Sequence, residues 1–382
     1  MSVTVENRRN RSGSALAAVV TVLMLIPVGL LFVQVWNATA DDRSATRQER
    51  QGVEYLTRLT PLVTVLAESQ ATALRGAYSA PAGLQGALDG VTDVDRRLGT
   101  ALKTRDRWAD LSARIGQLPS IGSSTQALFQ AHVEITDLLL ALYHTVRDNS
   151  LLNRDADNDV SYLQQAAVEM PTAVFQAARM ADLSVMVPNA DSKTQRLLAP
   201  QLGASLLNAD TAVNTLTDDL QAAVDDTTSR TLSSGLINPL DAFRRGVEDL
   251  QRGATTTTGA PDLARLAAAR GRMLEAFGAL AGPVLTETDR LLQTRLDTIR
   301  DRQRNALITA GGALLLALLA LVLPLLRRRR RGSAAGDGGD PGSGATGSAA
   351  VPDPYGKSLQ NPGPVYGNEV SPTRRERSGA LR

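Results

Sequence analysis

Two stretches of the chain carry no charge at all. Ala15–Trp36 runs for 22 residues, rich in Val, Leu and Ile, and Ala306–Leu326 runs for 21 and leads straight into Arg327–Arg331. A helix of about 20 apolar residues crosses a hydrocarbon core of roughly 30 Å, so 15–36 and 306–326 are predicted transmembrane helices. Arg8, Arg9 and Arg11 precede the first and five arginines follow the second. Basic residues stay on the cytoplasmic side. This predicts a cell-membrane protein with a short cytoplasmic N-terminus (1–14), a basic stop (327–331), and residues 37–305 outside the cytoplasm. Ala38-Thr39-Ala40 has the small-x-small form of a signal cleavage site, giving a rival reading in which the first span is removed. The first apolar run exceeds the 7–15 residues of a signal core, which favours a retained span, and the second span anchors the same region in either case.

Between the spans the period is that of a helix. Val53, Leu56, Leu59, Val63 and Leu66 recur at intervals of three and four, the spacing of one buried helical face. The same spacing returns at Leu128–Val146, Leu202–Val224 and Met273–Ile299. Turn formers around Pro81–Gly83, Pro119, Asp155–Asp159, Pro188, Ser233–Gly235 and Thr255–Pro261 divide these runs. They predict helices over about 38–80, 83–116, 120–150, 158–186, 191–232 and 261–305, with a short broken piece near 236–252. No breaker separates the first and last helices from the spans. Helices of this length lead to an all-α fold of two stacked bundles sharing long helices, the distal layer using the turns near Pro119 and Asp155. From Gly332 to Arg382 Gly, Ser and Pro dominate, so 332–382 is a predicted disordered cytoplasmic tail.

Composition narrows the chemistry. Aromatics are 3% of the chain, which disfavours a β-rich fold. Lys and Arg total 41 against 39 Asp and Glu. That balance gives no basic footprint for nucleic acid. Residues 37–305 hold 28 basic and 33 acidic side chains, a mildly acidic and soluble exterior. Cysteine is absent, which rules out disulfides, thiol catalysis and Cys-ligated metal.

Several residue groups carry alternative readings. Asp148, Asn153, Asp155, Asp157 and Asp159 form an acidic cluster, but registers starting at Asn153 or Asp155 lack the Gly and Glu of a calcium loop. A cap on the next helix from Asp157 or Asp159 is the simpler reading. His132 and His144 stand twelve apart, too far for an i, i+4 metal pair; no metal or cofactor is expected. Arg75, Tyr78, Tyr143, Tyr162 and Arg179 interrupt aliphatic helices and are candidates for a small-ligand pocket between helices, with core filling as the alternative. Arg327, Arg328, Arg329, Arg330 and Arg331 fix topology and attract anionic lipid. Ala306, Ala310, Ala313, Ala317 and Ala320 form a small-residue stripe of the kind that lets spans approach closely, and a homodimer is expected from it. The tail segment Ser371–Ser378 offers hydroxyls among arginines as a phosphorylation stretch.

Two stretches resemble a known family. Glu49-Arg50-Gln51-Gly52-Val53-Glu54-Tyr55-Leu56 resembles the start of the periplasmic helical region of two-span bacterial chemoreceptors and sensor histidine kinases. Ser150 to Leu163 resembles a second run of that family, with Asp155, Asp157, Asp159, Tyr162 and Leu163 in the matching places and Ala156 where proline is usual. The resemblance covers about 50–200 and implies an extracytoplasmic helical sensor region. Ser69-Gln70 stands where a His-Arg pair often follows the first motif, and no signalling domain follows the second span. Both histidines lie between the spans, so no cytoplasmic phospho-accepting His is present in the sequence.

The expectation is therefore a membrane-anchored sensor-like subunit, not an enzyme. It passes a ligand- or partner-induced helix shift to a separate cytoplasmic kinase or signalling protein. The alternatives are an envelope adaptor that binds another protein and a decayed sensor that has lost its kinase.

Overall fold

The helical period becomes eight α-helices in a computed structural model of the chain, which describes residues 6–74, 78–152, 159–226, 230–255 and 261–332. They are α1 (Glu6–Ala73), α2 (Leu84–Leu98), α3 (Arg105–Gln117), α4 (Thr125–Ser150), α5 (Asp159–Asn189), α6 (Ser192–Asp226), α7 (Arg230–Ala254) and α8 (Leu263–Gly332). A 3-10 turn, Leu118–Ser120, joins α3 to α4, and the described residues contain no strand. The chain is all-α.

The apolar stripes read from the sequence form the core. Leu56, Leu59, Val63 and Leu66 of α1 are fully buried, with Leu139, Leu142 and Val146 of α4 and Leu216 and Leu220 of α6. Each such side chain stabilises by about 1.5–3 kcal/mol relative to exposure. One core cluster extends from Val53 to Leu292, with a small satellite around Phe129, Leu183, Met186 and Leu198. The expected division into two stacked bundles is not visible in it.

Cross-helix contacts set the directions. The Gln48 side-chain amide donates to the Asn149 carbonyl at 2.7 Å, and Ser69 meets His132 at 3.0 Å, so α4 runs antiparallel to α1. Gly52 sits where a Cβ would lie 2.3 Å from Ser150 Oγ; only the missing side chain lets the two helices approach. Arg179 pairs with Asp137 at 2.7 Å, while Asp182 lies in the field of His132, so α5 runs back up beside α4. Arg50 pairs with Asp289 at 2.7 Å and Glu49 with Arg295 at 3.7 Å, which sets α8 antiparallel to α1. These four form an up-down-up-down set. The α2–α3 hairpin leans on it through Tyr55 to Asp95 at 2.8 Å and Arg114 to Glu134 at 3.1 Å. The α6–α7 hairpin leans on it where Arg272 meets Asp249 at 2.8 Å.

Three expectations change. The helix foreseen over 83–116 is two, because Lys103 takes a positive φ of 54° and Thr104 N–H bonds back to the Gly99 carbonyl at 2.9 Å. The broken piece near 236–252 is a continuous helix, α7, with Pro239 tolerated inside it. The turn after α4 is not distal, because 26 antiparallel residues bring Ser150 back beside Gly52. Of the acidic motif, Asp155 and Asp157 lie outside the described residues, as do Arg75 and the tail 333–382; Asp159 begins α5.

The first and last helices do run on through the apolar segments, as α1 and α8 contain them whole. In α8 the stretch ending at Ala320 is long and apolar enough to cross a membrane, by length and composition. Most large hydrophobic side chains that stand exposed fall between Leu23 and Trp36 or between Leu307 and Leu323.

Candidate functional site

Four helices bring polar side chains to one buried layer at the ends of α1 and α8 farthest from their apolar segments. Ser69 and Gln70 come from α1, His132 from α4, Asp182 from α5 and Arg270 from α8, and none is more than 8% exposed. Arg270 Nη2 donates to an Asp182 carboxylate oxygen, and to the Ala178 carbonyl at 3.3 Å. Burial pushes the Asp182 carboxyl up from its ordinary range, and Arg270 opposes this.

His132 Nδ1 lies 2.8 Å from the Leu128 carbonyl. A carbonyl only accepts, so Nδ1 carries the proton. Nε2 is then the acceptor, and the Ser69 hydroxyl donates to it across 3.0 Å. Burial pushes the His132 pKa down, which agrees with the neutral ring this pattern requires. Tyr78 closes the layer, its hydroxyl toward Ser69 and its ring 6.3 Å from that of His132.

The layer is not saturated. Arg270 Nη1 has no hydrogen-bond partner among the described residues, and the Gln70 amide is set against Asp182 as a donor that holds its carboxyl down. Buried polar groups left unpaired cost about 1–3 kcal/mol each. Asp182 and Arg270 also line a cleft of about 930 Å³, walled by Leu74, Val185, Leu266 and Leu274 and with Glu68 at its edge. A second cleft of about 740 Å³ lies along α1 and α8 between Arg47, Arg58, Gly278 and Asp289. Its pair Arg50–Asp289 is more than a third exposed on each side, and an exposed pair of this kind stabilises little. The first cleft is the stronger candidate.

The residues singled out in the sequence do not converge. Tyr78 joins the buried layer. Tyr143 is 1% exposed in the core, its hydroxyl toward a Thr60 that already donates to the Leu56 carbonyl at 3.0 Å. Tyr162 is half-buried at the start of α5 and Leu163 is buried beside it. Arg179 lies one turn from Asp182 and pairs outward with Asp137. His144 is exposed, away from the layer. Asp182 and Arg270 were not foreseen, although both fall on core-facing positions, Arg270 four residues after Leu266 and Asp182 four after Ala178. A charge on an apolar stripe is the signal that was legible there.

No family model, curated protein or solved structure matches the chain.

Proposed function

We propose that the chain is a membrane-anchored subunit held by two spans, 15–36 and 306–326, which presents the helical region 37–305 outside the cytoplasm as a sensor. The observation that carries this reading is the pair of exposed apolar bands on α1 and α8. Soluble proteins rarely expose contiguous apolar surface on this scale, and a lone helix satisfies its own backbone in lipid.

Their register supports two spans at one level. The residue numbers paired across α1 and α8 at Arg50–Asp289 and Glu49–Arg295 add to about 340. Carried onward, this sets Trp36 beside about residue 304, next to the start of the second apolar run at Ala306. Among the described side chains of the same stretch, Ala306, Ala310, Ala313 and Ala317 are the half-buried positions of α8, and Leu25 and Phe32 those of α1. In this reading the alanine stripe packs on α1 of the same chain. A second copy, if bound, takes another face.

The cleft and the spans share two helices. From Ser69 to Trp36 is about 50 Å of continuous α1 at 1.5 Å per residue. Occupancy of the cleft separates or draws together α1, α5 and α8, and a small shift of packed helices travels along them. A separate cytoplasmic protein provides the output. An adaptor role for the same exterior is favoured by no particular feature of the cleft.

Because the chain has no cysteine, introduced thiols report cleanly. Leu207→Cys, at a side chain 67% exposed, is expected to react with a membrane-impermeant maleimide in intact cells. Ser358→Cys is expected to react only after lysis. The reverse pattern, or reaction of both in intact cells, overturns the topology.

A further inference from the structure

The second cleft, along α1 and α8, carries charge that its own walls do not balance. Arg47, Arg50, Arg58, Glu54 and Asp289 line it. Both carboxylates are already engaged. Arg50 forks onto Asp289, Nε to Oδ1 at 2.7 Å and Nη2 to Oδ2 at 3.3 Å. Glu54, one turn before Arg58, is drawn instead to Arg97 of α2 at 2.6 Å. Arg47 and Arg58 are exposed and form no ion pair among the described residues. Eleven residues separate them, about three turns or 16 Å of helix, so both stand on one face of α1. The facing wall is bare. The α1–α8 register sets Arg58 beside about residue 282, and a Cβ at Gly278 or Gly282 meets nothing within 4 Å.

We infer that this cleft binds a small extended dianion of the α,ω-dicarboxylate class, one carboxylate on Arg47 and the other on Arg58. Each guanidinium presents a fork of donors that matches a planar carboxylate. The carbon chain between the two ends lies along the space left open by Gly278 and Gly282. A monoanion satisfies one arginine and leaves the other uncompensated. A compact dianion has the charge but not the length, since the two arginines start three turns apart. A cation is repelled by the excess of positive charge. The site lies on the same helix pair as the buried layer, nearer the apolar segments, and its arginines are open to solvent. It goes beyond the sensor reading by adding a ligand site there, and it depends on neither the spans nor the first cleft.

The test uses three probes, glutarate, butyrate and inorganic sulfate. Each is titrated calorimetrically against the full chain in nanodiscs of phosphatidylcholine, a lipid without net charge. Glutarate is expected to bind about tenfold or more tightly than the other two, the usual worth of one charge-assisted hydrogen-bonded pair. Arg47→Gln and Arg58→Gln are each expected to lose that factor with the melting temperature unchanged, since neither breaks an ion pair. Gly278→Leu fills the facing wall and installs a better helix former; it should weaken glutarate as much, with the melting temperature unchanged or raised. Arg196→Gln, at an exposed arginine of α6 outside the cleft, should bind as the parent does. No binding of glutarate, equal binding of the three probes, full binding by either cleft arginine variant, or an equal loss in Arg196→Gln overturns the inference. The maleimide pattern at residues 207 and 358 tests the topology separately, so the two-span reading and the ligand class can fail independently.

Discussion

Gly52 and Tyr143 show how single side chains set the packing of α1 on α4. A Cβ at Gly52 lies 2.5 Å from Ser150 Cβ, so Gly52→Ala forces the helices apart. Thermal unfolding of that variant is expected to show a loss of about 1–3 kcal/mol, the usual penalty for overpacking. Adding Ser150→Gly should recover part of it. Tyr143 is the opposite case, a buried phenol whose hydroxyl finds no partner among the described residues. Tyr143→Phe removes an unsatisfied group, so its melting temperature should equal or exceed that of the parent; a clear drop would mean that the hydroxyl is bonded. Asp219 titrates unusually. Burial, then Glu169 and Asp218, push its carboxyl up to about 6. The folded state therefore holds this proton more tightly than the unfolded chain, and the stability it contributes is present in acid and lost as pH rises from about 4 through 6. Asp219→Asn should gain on the parent as pH is raised from 4 to 7, measured by urea unfolding across that range. A difference that does not change with pH contradicts the assignment.

At the scale of elements, the stripes at Val53–Leu66, Leu128–Val146 and Leu202–Val224 were legible because helical burial repeats every three to four residues and each stripe is long. Their partners were not. Nothing local in the sequence states that Tyr55 reaches Asp95 or that Arg272 reaches Asp249, since these contacts join distant segments. The split between α2 and α3 was missed because Gly99 and Lys103 make an ordinary helical sequence look continuous, and only the backbone reveals the left-handed residue. The turn after α4 was put at the wrong end because its place follows from counting the antiparallel passes of the chain. The candidate site suffered most. Aromatic and arginine residues drew attention as pocket liners, yet Tyr143 fills the core and Arg179 pairs outward. Asp182 and Arg270, on core-facing positions of their helices, form the buried ion pair of the layer instead. The Ser69-Gln70 dipeptide was noticed as a departure from a sensor motif, and its position is the one that meets His132 and faces Asp182.

For the whole molecule, the central claim is that α1 and α8 form one antiparallel pair from the cleft through both apolar segments. The described ion pairs set its register at Arg50–Asp289 and Glu49–Arg295, and the claim carries that register on through the two apolar segments. The most direct measurement is disulfide scanning in native membranes. Phe32→Cys would be combined in turn with single cysteines from 303 to 320, and intramolecular cross-linking scored after mild oxidation. Cross-linking is expected to peak at Ala306 and Ala310, on either side of the extrapolated partner near 308, and to fall away by Ala317. Uniformly absent cross-links, or a maximum near Ala317, would contradict the shared register and with it the proposed path from cleft to membrane.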